Sequence, residues 1–193
     1  MSVHSLQELY VEQLQDLFSA EQQIIKALPK MIGAAQSQEL QDALTEHLEV
    51  TKQQADRIEK ICEELGEDAE GDKCKGMEGV LKEGSDLVKD VENESVRDAA
   101  IIAAAQRVEH YEMAGYGTAR TYATLLGYDD AASTLEQTLE EEKEADETLS
   151  SLAGKLNSEA LNAGEEKKSS SEKSQQAPKS ARSAKSGGRR NVA

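Results

Sequence analysis

The sequence predicts an all-α protein of four long helices, arranged as two hairpins and joined by a long crossover that holds a short extra helix. Three observations carry this expectation. Proline and glycine are sparse up to about residue 156, and apolar residues recur there at three- and four-residue spacing. The breaks between those stretches, at Ser37, Leu65-Gly66, Gly127 and Asp129-Asp130, are built from residues that start and stop helices.

The first long helix is expected from about Ser5 to Ala34, opened by Ser5 and Glu8 at capping-box spacing and kinked near its end by Pro29. The second follows Ser37 and stops at Gly66, a residue suited to a left-handed cap. A polar segment, GEDAEGDKCKG, then leads to the shorter helix around Met77 to Val91. The third long helix spans about Ser95 to Leu126, and the fourth begins near Asp129-Asp130 and runs to about Leu156. Two helical hairpins with one elaborated connection are the plan of a ferritin-like four-helix bundle. Residues 1–156 are therefore expected to form the bundle. Residues 157–193, which contain KKSSSEKSQQAPKSARSAKSGGRR, have almost nothing to bury and are expected to be disordered.

The formal charge of −16 over 193 residues is unevenly spread. Residues 157–193 hold eight Lys/Arg against four Asp/Glu, net +4, which leaves −20 on the body. An acidic body attracts cations and repels nucleic acid, so contact with DNA or RNA is assigned only to the tail. One Phe, five Tyr and no Trp leave little with which to stack a flavin or bases. No run of 18 apolar residues and no basic-then-apolar leader occurs, so a cytoplasmic protein without a membrane span is expected. Cys62 and Cys74 lack zinc-finger or C-x-x-C spacing and read as buried, inert thiols. There is no Walker-type loop, and neither His4 nor His110 is tied to a nucleophile. Gly115 and Gly117 fall inside the third long helix, where they favour close helix packing.

Projection at 100° per residue places several acids on apolar stripes. Glu21 lies among Leu14, Leu17, Ile24 and Leu28; Glu109 and Glu112 lie on the stripe of Ile102, Ala105, Tyr116 and Ala119. Glu142 is central on the last helix, with Asp146 towards an edge, and His47 interrupts the stripe of Leu40, Leu44, Ala55 and Ile58. Glu46, Glu49 and His110 project outward. An unpartnered buried carboxylate costs several kcal/mol, so four would rival the roughly 5–15 kcal/mol that holds a domain together. Protonation or buried cations would relieve this, but only Arg120 approaches a stripe, at its edge. One or two iron or manganese ions would neutralise the group, and carboxylates with an imidazole suit those metals better than zinc. Heights agree in part. Glu112 stands sixteen residues before Tyr128, so its level partner falls near residue 144, bracketed by Glu142 and Asp146. Glu21 points to a partner near Thr51, and His47 sits one turn nearer the loop, about 6 Å at 1.5 Å per residue, a poorer match.

At these residues the chain resembles the YciF-like stress proteins of the ferritin-like superfamily, over about residues 5 to 156. The segments that carry the likeness are DLFSAEQQIIKALPKM, EHLEVTKQQADRIEKI, KCKGMEGVLKEG, RDAAIIAAAQRVEHYEMAGYGT and TLEEEKEADETL. The resemblance implies a dimeric helical bundle with a rubrerythrin-like metal centre and a link to bacterial stress. Glu21 matches the first-helix glutamate of the superfamily's di-metal pattern, Glu109-x-x-Glu112 the pair on the third, and Glu142 that of the last. The Glu-x-x-His motifs of a full site are absent: Leu44 precedes His47 by three and Ala145 follows Glu142 by three. Asp146 is the residue that would substitute.

The metal-ligand set expected from sequence is thus Glu21, His47, Glu109, Glu112, Glu142 and Asp146, holding iron or manganese, mononuclear or paired. Tyr116 reads either as a hydrogen-bond donor to that set or as a core tyrosine. Two functions follow: a stress protein whose metal reacts with peroxide or oxygen, or a non-catalytic protective dimer whose inner acids are structural. Whether there is turnover is left open by the residues alone.

Overall fold

The computed structural model describes the backbone of residues 3–175 and the side chains of residues 3–162. Five helices occupy them: α1 (Leu6–Ala34), α2 (Gln38–Leu65), α3 (Lys75–Lys89), α4 (Glu94–Leu126) and α5 (Asp129–Gln175). No strand occurs among the described residues.

Local chemistry sets the ends. Ser5 Oγ accepts from Glu8 N at 3.1 Å, and the Glu8 carboxylate reaches back one residue further than a capping box requires, to His4 N at 2.6 Å. Ser37 and Asn93 cap α2 and α4 through Leu40 N and Val96 N. The α3 cap is Cys74, whose Sγ accepts from Met77 N at 3.3 Å, so the helix begins at Lys75, two residues before the expected Met77. Gly66 (φ 74°) and Gly127 (φ 81°) end α2 and α4 in the left-handed conformation that a side chain would strain. Helix α1 continues through Pro29 to Ala34. Helix α5 runs on to Gln175, past the boundary expected near Leu156; residues 176–193, the remainder of the expected disordered tail, lie outside the described residues.

The long helices pack in a cycle, α1 on α2, α2 on α5, α5 on α4 and α4 on α1, with α3 laid across α4 and α1. Helix α4 is therefore covered on three sides. It buries Ile101, Ala104 and Val108 as well as the stripe of Ile102, Tyr116, Ala119 and Ala123, which explains why its apolar residues spread around the helix. Close approaches depend on small residues. A Cβ on Gly115 would meet Leu17 Cδ2 at 2.7 Å, and one on Gly84 would meet Ala104 Cβ at 2.8 Å. Gly117 has room for a methyl, its nearest neighbour being Leu139 at 3.9 Å.

The buried apolar residues form two clusters. One, around Ile24, Leu28, Leu40, Leu44, Met77 and Ile102, fills the end nearest the α1–α2 turn. The other, around Tyr10, Leu14, Ile58, Tyr116 and Leu135, fills the end nearest the α4–α5 turn. The α1–α2 turn is held from α4: the buried Asp98 carboxylate accepts from Gln36 N and Ser37 N, both at 2.8 Å. Replacing Asp98 by Ala leaves two turn amides without an acceptor. The expected loss is about 2–3 kcal/mol in urea unfolding, the scale of hydrogen bonds to a charged group; an unchanged midpoint would refute the tether.

Candidate metal centre

Between the two apolar clusters lies a polar layer to which all four long helices contribute. Helix α1 supplies Glu21, α2 supplies His47, Thr51 and Gln54, α4 supplies Glu109, Glu112 and Tyr116, and α5 supplies Glu142. One candidate ligand atom from each of His47, Glu109, Glu112 and Glu142 lies within 4.8 Å of the others. His47 Nε2 stands 3.5 Å from Glu109 Oε2, and Tyr116 donates its hydroxyl hydrogen to Glu21 Oε1. The four glutamates are 0–2% exposed. The layer has two tiers, because Glu109 and Glu112 are separated by about 4.5 Å of helix rise. His47 meets the upper carboxylate, which is why an imidazole one turn away from the level of Glu21 still joins the group.

Few of these ligand atoms have partners. Both oxygens of Glu112, one oxygen each of Glu21, Glu109 and Glu142, and His47 Nε2 have no hydrogen-bond partner. Burial pushes the carboxyls of Glu21, Glu109 and Glu112 well above the usual range, and the charge of Glu142 pushes all three further. The Tyr116 hydroxyl, whose hydrogen bond favours ionised Glu21, is itself raised, first by burial and then by the charge of Glu21. Burial lowers His47 despite the opposing charge of Glu142, so its imidazole is held in the neutral form that ligates metals.

The outer support of the layer escapes a search for charged residues on the stripe. Gln54 donates to Glu142 Oε1 and, at 3.2 Å, to Glu141 Oε2. Glu141 receives both arms of Arg57, at 2.6 and 2.9 Å, and Arg57 also donates to Thr138 Oγ1. Partial burial raises the Glu141 carboxyl, but the bonds from Arg57 and Gln137 outweigh it and hold the group below its ordinary value. Glu141 thereby takes up the charge of Arg57 at the edge of the layer. Gln54 was readable, since it follows His47 by seven residues, two helical turns on the same face. Thr51, the position expected opposite Glu21, is buried and donates to His47 O at 2.8 Å.

Asp146 stands apart from the converging group. It accepts from Gln106 Nε2 at 3.1 Å and lies 3.5 Å from Nε2 of His110, the outward-facing imidazole. Glu49 is exposed and pairs with Lys52, and Arg120 pairs with Glu136 across the outer face of α4 and α5. Cys74 and Cys62 are both free and buried. Burial raises the Cys62 thiol to about 11, consistent with inertness, while Cys74 additionally bonds Asp16 and Tyr111 at 3.2 and 3.0 Å.

A helical bundle with a buried carboxylate and imidazole layer is the class that the fold and site define. Comparison with known proteins narrows it. Residues 5–162 match the family described as a domain of unknown function, DUF892. Protein YciF of Escherichia coli K12 is 43% identical over 154 residues, which cover 79% of this chain and 93% of that protein. The chain belongs to this family of YciF-like stress proteins. The crystal structure of the E. coli stress protein YciF superposes with a TM-score of 0.78 at 41% identity, covering 81% of this chain and 99% of that one. YcfI of Rhodopseudomonas palustris, described as a candidate structural protein, gives 0.75 at 41% identity over 77% and 95%. A protein of Xanthomonas campestris at 20% identity shares the fold with a TM-score of 0.66, over 83% of this chain and 99% of its own.

The raised carboxyls fix the sign of a pH effect. Their folded values lie above the ordinary 4.5, so their contribution to stability is full below about pH 4.5 and is lost as pH rises towards the folded values. His47 acts oppositely, its contribution increasing as pH rises towards 6.5. In chelator-treated protein, thermal melts should therefore show stability falling as pH rises above the ordinary carboxyl value of 4.5, offset in part by His47 up to about pH 6.5, with a shallower slope in Glu112→Gln, whose amide cannot ionise. Equal slopes in the two proteins would contradict the assignment.

Proposed function

We propose that this protein holds iron or manganese in the polar layer of a ferritin-like four-helix bundle, α3 being the extra helix of the crossover, and serves a stress response by exposing that metal to peroxide or oxygen. The observation that carries the reading is the set of unpartnered ligand atoms. Three buried glutamates and a neutral imidazole converge from α2, α4 and α5, buried Glu21 of α1 stands next to Glu112, and the described residues offer no cation within the layer. The donor set fits the metal. It is rich in hard oxygen with one nitrogen, the pattern of iron and manganese rather than of thiolate-bound zinc. Two divalent ions carry as many positive charges as four ionised glutamates carry negative ones, which makes a paired site the better electrostatic match.

Glu109, Glu112, Glu142 and His47 would hold the metal, and Glu21 would complete the carboxylate shell from the α1 side. Bound iron or manganese supplies electron exchange with a small oxidant, which no side chain of this layer offers by itself. The chain's own residues supply position and protons. Tyr116 orients Glu21 through its hydroxyl, and the link from Arg57 through Glu141 and Gln54 orients Glu142. The apolar clusters on both sides limit water. Asp146, paired outside the layer, would act on the site only through its charge. A cytoplasmic homodimer, implied by the family likeness, belongs to the same reading.

The non-catalytic alternative draws on the raised carboxyls, since protonated acids could fill the layer without a metal. Reconstitution decides between them. Chelator-treated protein given Fe(II) without oxygen, or Mn(II), is expected to retain one or two ions per chain after gel filtration. A ligand present at a hundredfold its Kd adds about 2.7 kcal/mol of stability. Glu112→Ala should lose most of that retention. No retained metal and no rise in Tm would reject the metal site, and peroxide consumption no faster than that of the same amount of free iron would reject turnover.

A further inference from the structure

The polar layer opens to one side. Between α2 and α5 lies a cleft of about 200 Å3 whose floor is His47 and Glu109 and whose walls include Ala43 and Ala145. These are two of the converging ligands. His47 has 10% of its side chain exposed and Glu109 3%, and the two atoms that face each other, Nε2 and Oε2, have no hydrogen-bond partner. Ala145 follows Glu142 by three residues. A large side chain there would fill the gap; a methyl leaves it open. The rim is acidic: Glu46 and Glu144 are exposed at the mouth, while Glu141 beside them is committed to Arg57. On the far side the His47–Glu109 pair backs onto a void of about 40 Å3 walled by Ile24, Leu28, Ile101 and Val108, whose apolar lining offers a hydrated ion no ligand.

We infer that the α2–α5 cleft is the route by which a divalent cation reaches the layer from solvent, with Glu46 and Glu144 drawing it to the mouth and the His47–Glu109 pair receiving it from the cleft floor. The inference rests on the metal-site reading above and adds the path and its selectivity. A cleft lined by one sign of charge between low-dielectric walls concentrates counter-ions and raises their arrival rate. The same field repels anions. The volume is below the roughly 300–1,000 Å3 of pockets that enclose organic ligands, so the route admits hydrated cations and small neutral oxidants and excludes larger substrates.

The test is the rate of Co(II) uptake by full-length, metal-free protein, followed by visible absorption in a stopped-flow instrument, with the final metal per chain measured separately. Ala145→Phe should slow uptake by about tenfold or more and leave the final stoichiometry unchanged. Ala43→Leu, from the opposite wall, repeats the block should the larger residue prevent folding. The Glu46→Gln/Glu144→Gln double variant should load several-fold more slowly at low salt, and the difference should vanish at high salt as the field is screened. Variants that fill to the wild-type level at the wild-type rate overturn the route and leave the site intact. A wild-type protein that takes up no Co(II) instead overturns the site, and the route with it.

Discussion

The constraint on which the structure depends is the burial of four carboxyl groups and an imidazole in one layer. Water reaches little of them there, and the guanidinium of Arg57 is spent on Glu141 at the margin. Each helix must therefore deliver its polar side chains within the two tiers of the layer, while the residues beyond them on the same face remain apolar. The capped ends, the Asp98 tether on the α1–α2 turn and the left-handed glycines at 66 and 127 hold the helices in that register. A helix sliding by one residue would move its acid by about 1.5 Å and rotate it by 100°, out of the layer.

Helix α4 shows how packing and chemistry share one element. It contributes the two-tier pair Glu109 and Glu112, the tyrosine that fixes Glu21, and the small residues that let α1 and α3 approach. Because α1, α3 and α5 cover it, its acids are shielded more completely than an acid on a two-sided helix would be. That shielding is the physical source of the raised carboxyls, since burial is the leading cause at each of them.

Much of this was legible in the sequence because helical period and capping chemistry are local. The helix starts, and every stop but that of α5, fell within a few residues, and the phase of α1, α4 and α5 separated Glu21, Glu109, Glu112 and Glu142 from outward neighbours such as His110. Three features were less legible. Phase alone left Asp146 on the margin, and only packing showed that Gln106 and His110 hold it there. The bracing of Glu142 passes through residues 54, 57 and 141, neutral or paired groups that a search for isolated buried charge does not select. The course of α5 beyond Leu156 has few apolar residues to announce it.

The polar layer also divides the hydrophobic interior. Its two apolar clusters, one near each end of the bundle, are bridged mainly by continuous helix and by the carboxylate layer between them. The oily interior that usually makes a small domain melt as a single unit is here interrupted at its midpoint. Cooperativity between the two halves passes along the helix backbones and through whatever neutralises the layer. The charge state of the layer therefore sets the coupling between the halves as well as the stability of each.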